Sequence, residues 1–419
     1  MTRESRLASG ALAATLLLTL AAPAAAHRPA VAGPFAFEPL QASAVCGAAP
    51  LNAPFELPPG YSQAVIESEA SDPDFDDLPD MNQLNETGRQ AGRYLFRTHE
   101  VTTGGSISRT DLLTGETTVL AQRADWERFD GLKWTPWQTL LAAEEVITAA
   151  LRDPDFPLAE SGLLYEVDPW TGEAVARPAV GSMSHEGIGL DARGYVYVID
   201  AFAQGAIFRF VPDRRGDLSS GQLYALKITD ESAAPEDKTG TATWIPLDRE
   251  AVQINARTAA LAAGATTYGR PEDVEIVRNV LYVAVTSEDR VLAIDLKGTE
   301  PFVTEFVGAG LNVPVEVDDE EINGETDEVT GFNSPDNLAV DKAGNLYIAE
   351  DNTPGDIWVA TPDRDRDGSA DSVLLFASLT DCEAEPTGIY FGKDPFTLYV
   401  NVQHAGDGND KAMVIQRDR

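Results

Sequence analysis

The chain has 419 residues, with 68 Asp and Glu against 31 Lys and Arg, for a formal net charge of −37. A nucleic-acid duplex would be repelled by such a surface instead of releasing counterions to it, which argues against nucleic-acid binding and in favour of multivalent cations as partners. Most of these acids need do no more than keep a secreted protein solvated, and the run Glu316 to Glu328 reads as a solvated loop.

Residues 1–26 begin with Arg3 and Arg6, continue through an apolar stretch from Leu7 to Ala22, and end in Ala24-Ala25-Ala26. That is the layout of a secretory signal peptide with an Ala-x-Ala cleavage site, too short for a membrane anchor. No later segment is apolar enough to span a bilayer, so a soluble exported protein is expected, extracellular or periplasmic and monomeric. Residues 27–90 read as a polar arm leading into the start of the main domain.

From about residue 91 to 419, apolar strands recur every 8–15 residues with Gly, Asp and Asn at the turns. Examples are Gly92 to Arg97, Gly162 to Val167 and Ala206 to Val211. The pattern is all-β, and units of roughly 50 to 65 residues fit a β-propeller better than a sandwich; six blades are expected. Within the repeat, three stretches place an acid just ahead of an apolar strand: His185-Glu186-Gly187, Arg270-Pro271-Glu272 and Glu385-Pro386-Thr387. Acids so placed in a propeller would converge on one axis.

Three features interrupt the strands. Asp248 to Ala263 predicts a helix, with Asp248 to cap it, frequent Ala, and Gly264 to end it, inserted on one rim of the propeller. Asp363-x-Asp365-x-Asp367-Gly368-x-x-Asp371 sets oxygen donors at alternate positions around a Gly turn, as in the first nine positions of an EF-hand loop. Leu374 stands where the bidentate Glu would be. A structural calcium site is the expectation, an acidic turn without metal the alternative. Cys46 and Cys382 lie near opposite ends of the mature chain. Export permits a disulfide between them, while Cys382, three residues before Glu385, also stands as a thiolate ligand candidate.

The ordered motifs resemble those of the PhoX-type alkaline phosphatases. They are Asp80-Met81-Asn82 with Asn85-Glu86-Thr87-Gly88; Thr98-His99-Glu100; Thr135-Pro136-Trp137 followed by Glu144-Glu145; His185-Glu186; Gly264-Ala265-Thr266 to Arg270-Pro271-Glu272; Ser334-Pro335-Asp336-Asn337-Leu338; Glu385-Pro386-Thr387-Gly388; and Asn401-Val402-Gln403-His404. The resemblance implies a secreted propeller enzyme that hydrolyses phosphate monoesters at a central cluster of calcium and iron. Matched positions give Glu144 or Glu145, Glu186, Glu272 and Glu385 as metal ligands, joined by Asp200 and Asp336. Glu272 and Glu385 would serve catalysis, with Arg270 or Asn337 holding a phosphate oxygen. Carboxylates are hard donors suited to Ca2+, and crowded together they repel unless a cation is present.

The departures bear on the metal. Family strands carry Thr-Cys-Glu-Glu with the Cys as an iron ligand; here the run is Ala142-Ala143-Glu144-Glu145, so calcium is expected and Fe3+ lacks its thiolate. Two acids that the family places near Asp200 are here Asp200 and Ala201. Three of the four histidines, His99, His185 and His404, fall inside the motifs and point to a functional centre, although each also suits a polar strand cap. Two rival functions remain on the same architecture: a non-catalytic propeller stiffened by calcium, and a metal-dependent lactonase.

Overall fold

The structure is a computed structural model that describes residues 31–230, 237–314, 317–318 and 329–418. The expected leader and most of the acidic run from 316 to 328 lie outside the described residues. Strands arise where β-branched and aromatic residues alternate or run together, and turns fall on Gly and Asp. Blade one is Pro79–Leu84, Tyr94–His99, Ser106–Asp111 and Glu116–Gln122, and blade two is Phe129–Trp134, Leu140–Glu144, Leu164–Val167 and Ala174–Ala176. Blade three is His185–Leu190, Val196–Asp200, Gly205–Arg214 and Asp217–Ile228; blade four is Pro271–Val277, Val280–Val285, Arg290–Asp295 and Phe302–Gly308. Blade five holds Pro335–Val340, Leu346–Glu350, Asp356–Ala360 and Val373–Leu379, with Phe55–Glu56 at its outer edge. Blade six holds Glu385–Phe391, Thr397–Gln403 and Lys411–Arg417, and its fourth strand is Tyr61–Ser68 from the other end of the chain.

The first strands of the six blades touch one another in cyclic order, and the contact between blades six and one closes the ring. Blades three and four are not separate sheets. Gly240–Pro246 pairs with Asp217–Ile228 on one side and with Phe302–Gly308 on the other, so the two blades form one continuous ten-stranded sheet. The expected count of six therefore holds for inner strands but not for independent sheets. The fusion follows from the insertion after Ile228, which supplies an extra strand between two outer edges that would otherwise be unpaired.

Five buried apolar clusters fill the gaps between neighbouring blades, such as Tyr197, Ile199, Val274 and Val283 between three and four. Each buried Val, Leu or Ile contributes about 1.5–3 kcal/mol. The ring is locked at its seam in three ways: the two N-terminal strands, the Cys46–Cys382 disulfide at a Cα–Cα distance of 5.5 Å, and a buried ion pair. In that pair Arg97 Nη1 of blade one reaches Glu67 Oε1 at 2.7 Å, and Glu67 belongs to the N-terminal strand of blade six. The bridge settles the cysteine alternative, because Cys382 is a disulfide partner and has no thiolate to offer.

The helix runs from Ala251 to Ala263, three residues later than expected. Asp248 still caps it, its Oδ1 accepting the N–H groups of Glu250 and Ala251, and Gly264 ends it with φ 73°. A break at Asn255 lets Ser182 join the helix: Ser182 N–H donates to Val252, and Ala256 N–H donates to Ser182. Blade one opens at Pro79, within the stretch expected to hold the arm and the start of the propeller.

Candidate metal centre and active site

Each inner strand carries a register shift against its neighbour at the same place. The shifts span Pro79/Asn82, Phe129/Leu132, His185/Ile188, Pro271/Val274, Pro335/Leu338 and Thr387/Tyr390. A bulge re-aims the side chain it carries. In five blades the first residue inside the shift is an acid: Asp80, Asp130, Glu186, Glu272 and Asp336. In blade six the acid's place is taken by Thr387, followed by Gly388 at φ 55°, where a Cβ would lie 2.0 Å from Asp80 O. Glu385 therefore enters from upstream of the bulge and is not the sixth equivalent of the ring. Close approach also explains the glycine after two of the acids, since a Cβ on Gly131 would lie 1.9 Å from Glu186 O.

The second strands add another tier. Strand-end pairs place Glu144, Asp200 and Glu350 opposite the first residue of blades two, three and five. Side chains alternate along a strand, so each of these acids takes one direction and its successor, Glu145, Ala201 or Asp351, takes the other. Glu145 and Asp351 join the centre, as does Glu100 of blade one; the charges of Glu100 and Glu272 both bear on Glu145, and Asp351 lies against Glu385. His404 Nε2 is 3.6 Å from Glu385 Oε1.

Two groups of carboxylates have oxygens within 4.8 Å of one another: Glu186 with Glu272 and Asp336, and Asp80 with Glu100 and Asp130. Burial, reinforced by neighbouring charges, holds Asp80, Asp130, Glu186, Asp336 and Glu385 well above the usual carboxylate range, and it raises Glu272 and pushes Glu145 up to about 8. Buried Oδ1 of Asp80, Oδ1 of Asp130, Oε2 of Glu186 and Oε2 of Glu272 have no hydrogen-bond donor. Leaving such atoms unmatched costs several kcal/mol per charge. Hard cations would satisfy them, and the donor set is all oxygen apart from His404.

The model of the family described as alkaline phosphatase PhoX matches residues 133–406. The chain belongs to the PhoX family. It is a PhoX-like phosphatase, a phosphoric monoester hydrolase on an all-β propeller. Among solved structures, PhoX of Pseudomonas fluorescens in complex with vanadate, a transition-state analogue, is similar over 91 % of this chain and 98 % of its own, at 19 % identity and TM-score 0.65. A gluconolactonase of Xanthomonas campestris is similar over 90 % and 98 %, at 12 % identity and TM-score 0.49. No curated protein matches.

Several residues expected from the PhoX motifs have other work here. Both oxygens of Glu144 accept backbone N–H groups, from Glu127 and Leu163, and burial pushes this acid up to about 8 within blade two. Asp200 is held by Arg257 through Nε and Nη2 and accepts Ser184 N–H at 3.0 Å, so its charge is already paired. Asn337 accepts Gly388 N–H and donates to Asp336 Oδ1 at 3.3 Å; it ties blade five to blade six and steadies a ring acid rather than offering a free donor to substrate. His99 bonds Asp77 O and Ser108 Oγ, and His185 Nε2 bonds Gly181 O; burial pushes both down to about 4, the state of neutral structural histidines. Ala143 packs with Leu141, Leu164 and Ile188, and both cysteines are in the disulfide, which leaves iron without a thiolate donor.

Arg270 lies at the centre as expected, with Nε 2.6 Å from Glu272 Oε1. Asp130, Asp351 and Arg128 were not among the expected residues. Asp130 was recoverable, because Arg128-Phe129-Asp130-Gly131 repeats the acid-before-strand grammar of blades three and four. In the separate loop, Asp363, Asp365 and Asp371 converge within 4.8 Å around Gly368 at φ 98°. Asp367 stands apart from that group and caps Ser369 N–H at 2.9 Å.

Proposed function

We propose that the chain is an exported phosphomonoesterase acting on small phosphate esters, with calcium held by Glu186, Glu272 and Asp336 and by the neighbouring Asp80, Glu100 and Asp130. The observation that carries this reading is the set of buried acids with donor-less oxygens around one axis. Mutual repulsion would protonate such a set, whereas cations let it stay ionised. Bound cations would neutralise and polarise the phosphoryl group. The chain's own part is to orient: the bulges fix the carboxylates, Asn337 steadies Asp336, Arg270 presents a guanidinium beside Glu272, and Glu145, Asp351, Glu385 and His404 line the rim. Oxygen donors suit calcium, and the thiolate that the family gives to iron is missing here, with Ala143 in its place and both cysteines in the disulfide.

Export is supported by the leader-like N-terminus and by a disulfide suited to an oxidising compartment. Among the described residues no helix is long and apolar enough to cross a membrane. A further structural calcium site at Asp363, Asp365 and Asp371 fits the loop, with Gly368 where the chain turns. Elemental analysis of the purified protein beside its Glu186→Gln and Glu272→Gln variants tests the reading. Calcium content and turnover of a phosphomonoester are expected to fall together. Full turnover in a variant that has lost its metal would overturn it.

A further inference from the structure

Two arginines occupy the same place in different blades. Arg128 precedes Phe129-Asp130 and Arg270 precedes Pro271-Glu272, so each stands two residues ahead of a ring acid. Both take the left-handed backbone conformation, φ 44° and 51°, that Leu78 and Ser334 also take ahead of Asp80 and Asp336. The blade repeat thus imposes the same turn at all four places, and in two of them the side chain is a cation. Such a turn disfavours any residue with a Cβ.

Each guanidinium is anchored to the acids of the centre. Nη2 of Arg128 bonds Glu100 Oε1 and lies 3.0 Å from Glu145 Oε2, while Nε of Arg270 lies 2.6 Å from Glu272 Oε1. The charges of both arginines bear on Glu145, which only Arg128 contacts. The side chains are 45 % and 46 % exposed. One nitrogen of Arg128 serves both of its acids, so among the described residues its Nε and Nη1 donors are unpaired. A phosphomonoester dianion entering a ring of carboxylates needs cations beyond those that hold the ring together. The planar arginine fork matches two phosphoryl oxygens, as an ammonium does not.

We propose that Arg128 is a substrate-binding residue that, opposite Arg270, grips phosphoryl oxygens of the phosphomonoester at the mouth of the centre. This rests on the phosphatase reading above. Arg128 precedes the residues that match the family model, and the family motifs give it no role.

The test uses the calcium-loaded protein, p-nitrophenyl phosphate as substrate and inorganic phosphate as competitor. Arg128→Gln is expected to raise KM and the phosphate inhibition constant about tenfold or more, with a smaller change in kcat. Arg128→Lys should recover part of the loss, because it restores charge without the fork. Calcium per chain and the thermal midpoint should stay at wild-type values in both. Arg249→Gln, which removes a surface pair with Asp213, is the control and should change nothing. Unchanged KM and phosphate inhibition in Arg128→Gln overturn the inference. So does a rise accompanied by loss of calcium or of thermal stability, which would make Arg128 only a structural partner of Glu100 and Glu145. If the wild-type protein itself hydrolyses no phosphomonoester, the phosphatase reading fails and takes the clamp with it; a wild-type-like Arg128→Gln in an active protein overturns the clamp alone.

Discussion

Replacing Glu272 by Gln should change stability in opposite directions with and without metal. Glu272 has oxygens within 4.8 Å of both Glu186 and Asp336. At an effective dielectric near 20, two ionised carboxylates at that distance repel by about 3.5 kcal/mol. The metal-free fold escapes part of this by holding protons. Its acids have folded pKa values above their unfolded ones, so their contribution is complete at low pH and is lost as pH rises through the raised values. At pH 9 the chelated wild type is therefore strained, and removing one charge should return about 1–3 kcal/mol. A domain of this size gains about 2 °C per kcal/mol, which sets the expected rise in thermal midpoint. With calcium present the same change removes a ligand. A hundredfold weaker site would forfeit about 2.7 kcal/mol of mass-action stabilisation, and the midpoint should fall. Calorimetry of both proteins at pH 9 and pH 6, with chelator and with calcium, checks this, and the metal-free gain should shrink at pH 6. A shift of the same sign in both conditions would show that Glu272 does not both repel its neighbours without metal and bind calcium with it.

Breaking the Cys46–Cys382 bridge, by Cys46→Ala, frees a loop of sequence separation 336 and should cost up to about 5 kcal/mol, seen as a lower denaturation midpoint in urea. Non-reducing peptide mapping should recover the two cysteines joined. His185, buried and pushed down to about 4, contributes stability that is present above its unfolded value near 6.5 and is lost as pH falls through 4. His185→Gln should flatten the loss of about 2 kcal/mol that this residue brings between pH 7 and pH 5 in denaturant melts. Asp365→Asn combined with Asp371→Asn should remove part of the calcium-dependent rise in thermal midpoint while leaving phosphatase turnover at its wild-type level.

The propeller was legible because its repeat is local: each blade announces itself by a turn, an acid and an apolar strand. The ring acids Glu186, Glu272 and Asp336 were legible for the same reason. Which of two adjacent residues faces the axis was not, since Glu144-Glu145 and Asp200-Ala201 are decided by the direction of one side chain at a strand end, and that depends on the bulge in the strand beside it. The offset of Glu385 was hidden likewise, because Thr387 holds the ring position and Glu385 pairs with Gln403 two residues upstream. The fusion of blades three and four depends on a pairing between Gly240 and Val303, distant in sequence and without a local signature. Of the three motif histidines, His404 reaches Glu385, whereas His99 and His185 bond backbone carbonyls and a serine, which the motifs alone do not distinguish.

The most direct measurement is turnover of p-nitrophenyl phosphate from neutral to alkaline pH by protein stripped with a chelator and then restored with calcium alone. No turnover is expected when stripped, recovery is expected with calcium, and none in the triple variant Glu186→Gln, Glu272→Gln, Asp336→Asn. Turnover that survives stripping, or that returns in the triple variant, would contradict catalysis by calcium held at these carboxylates.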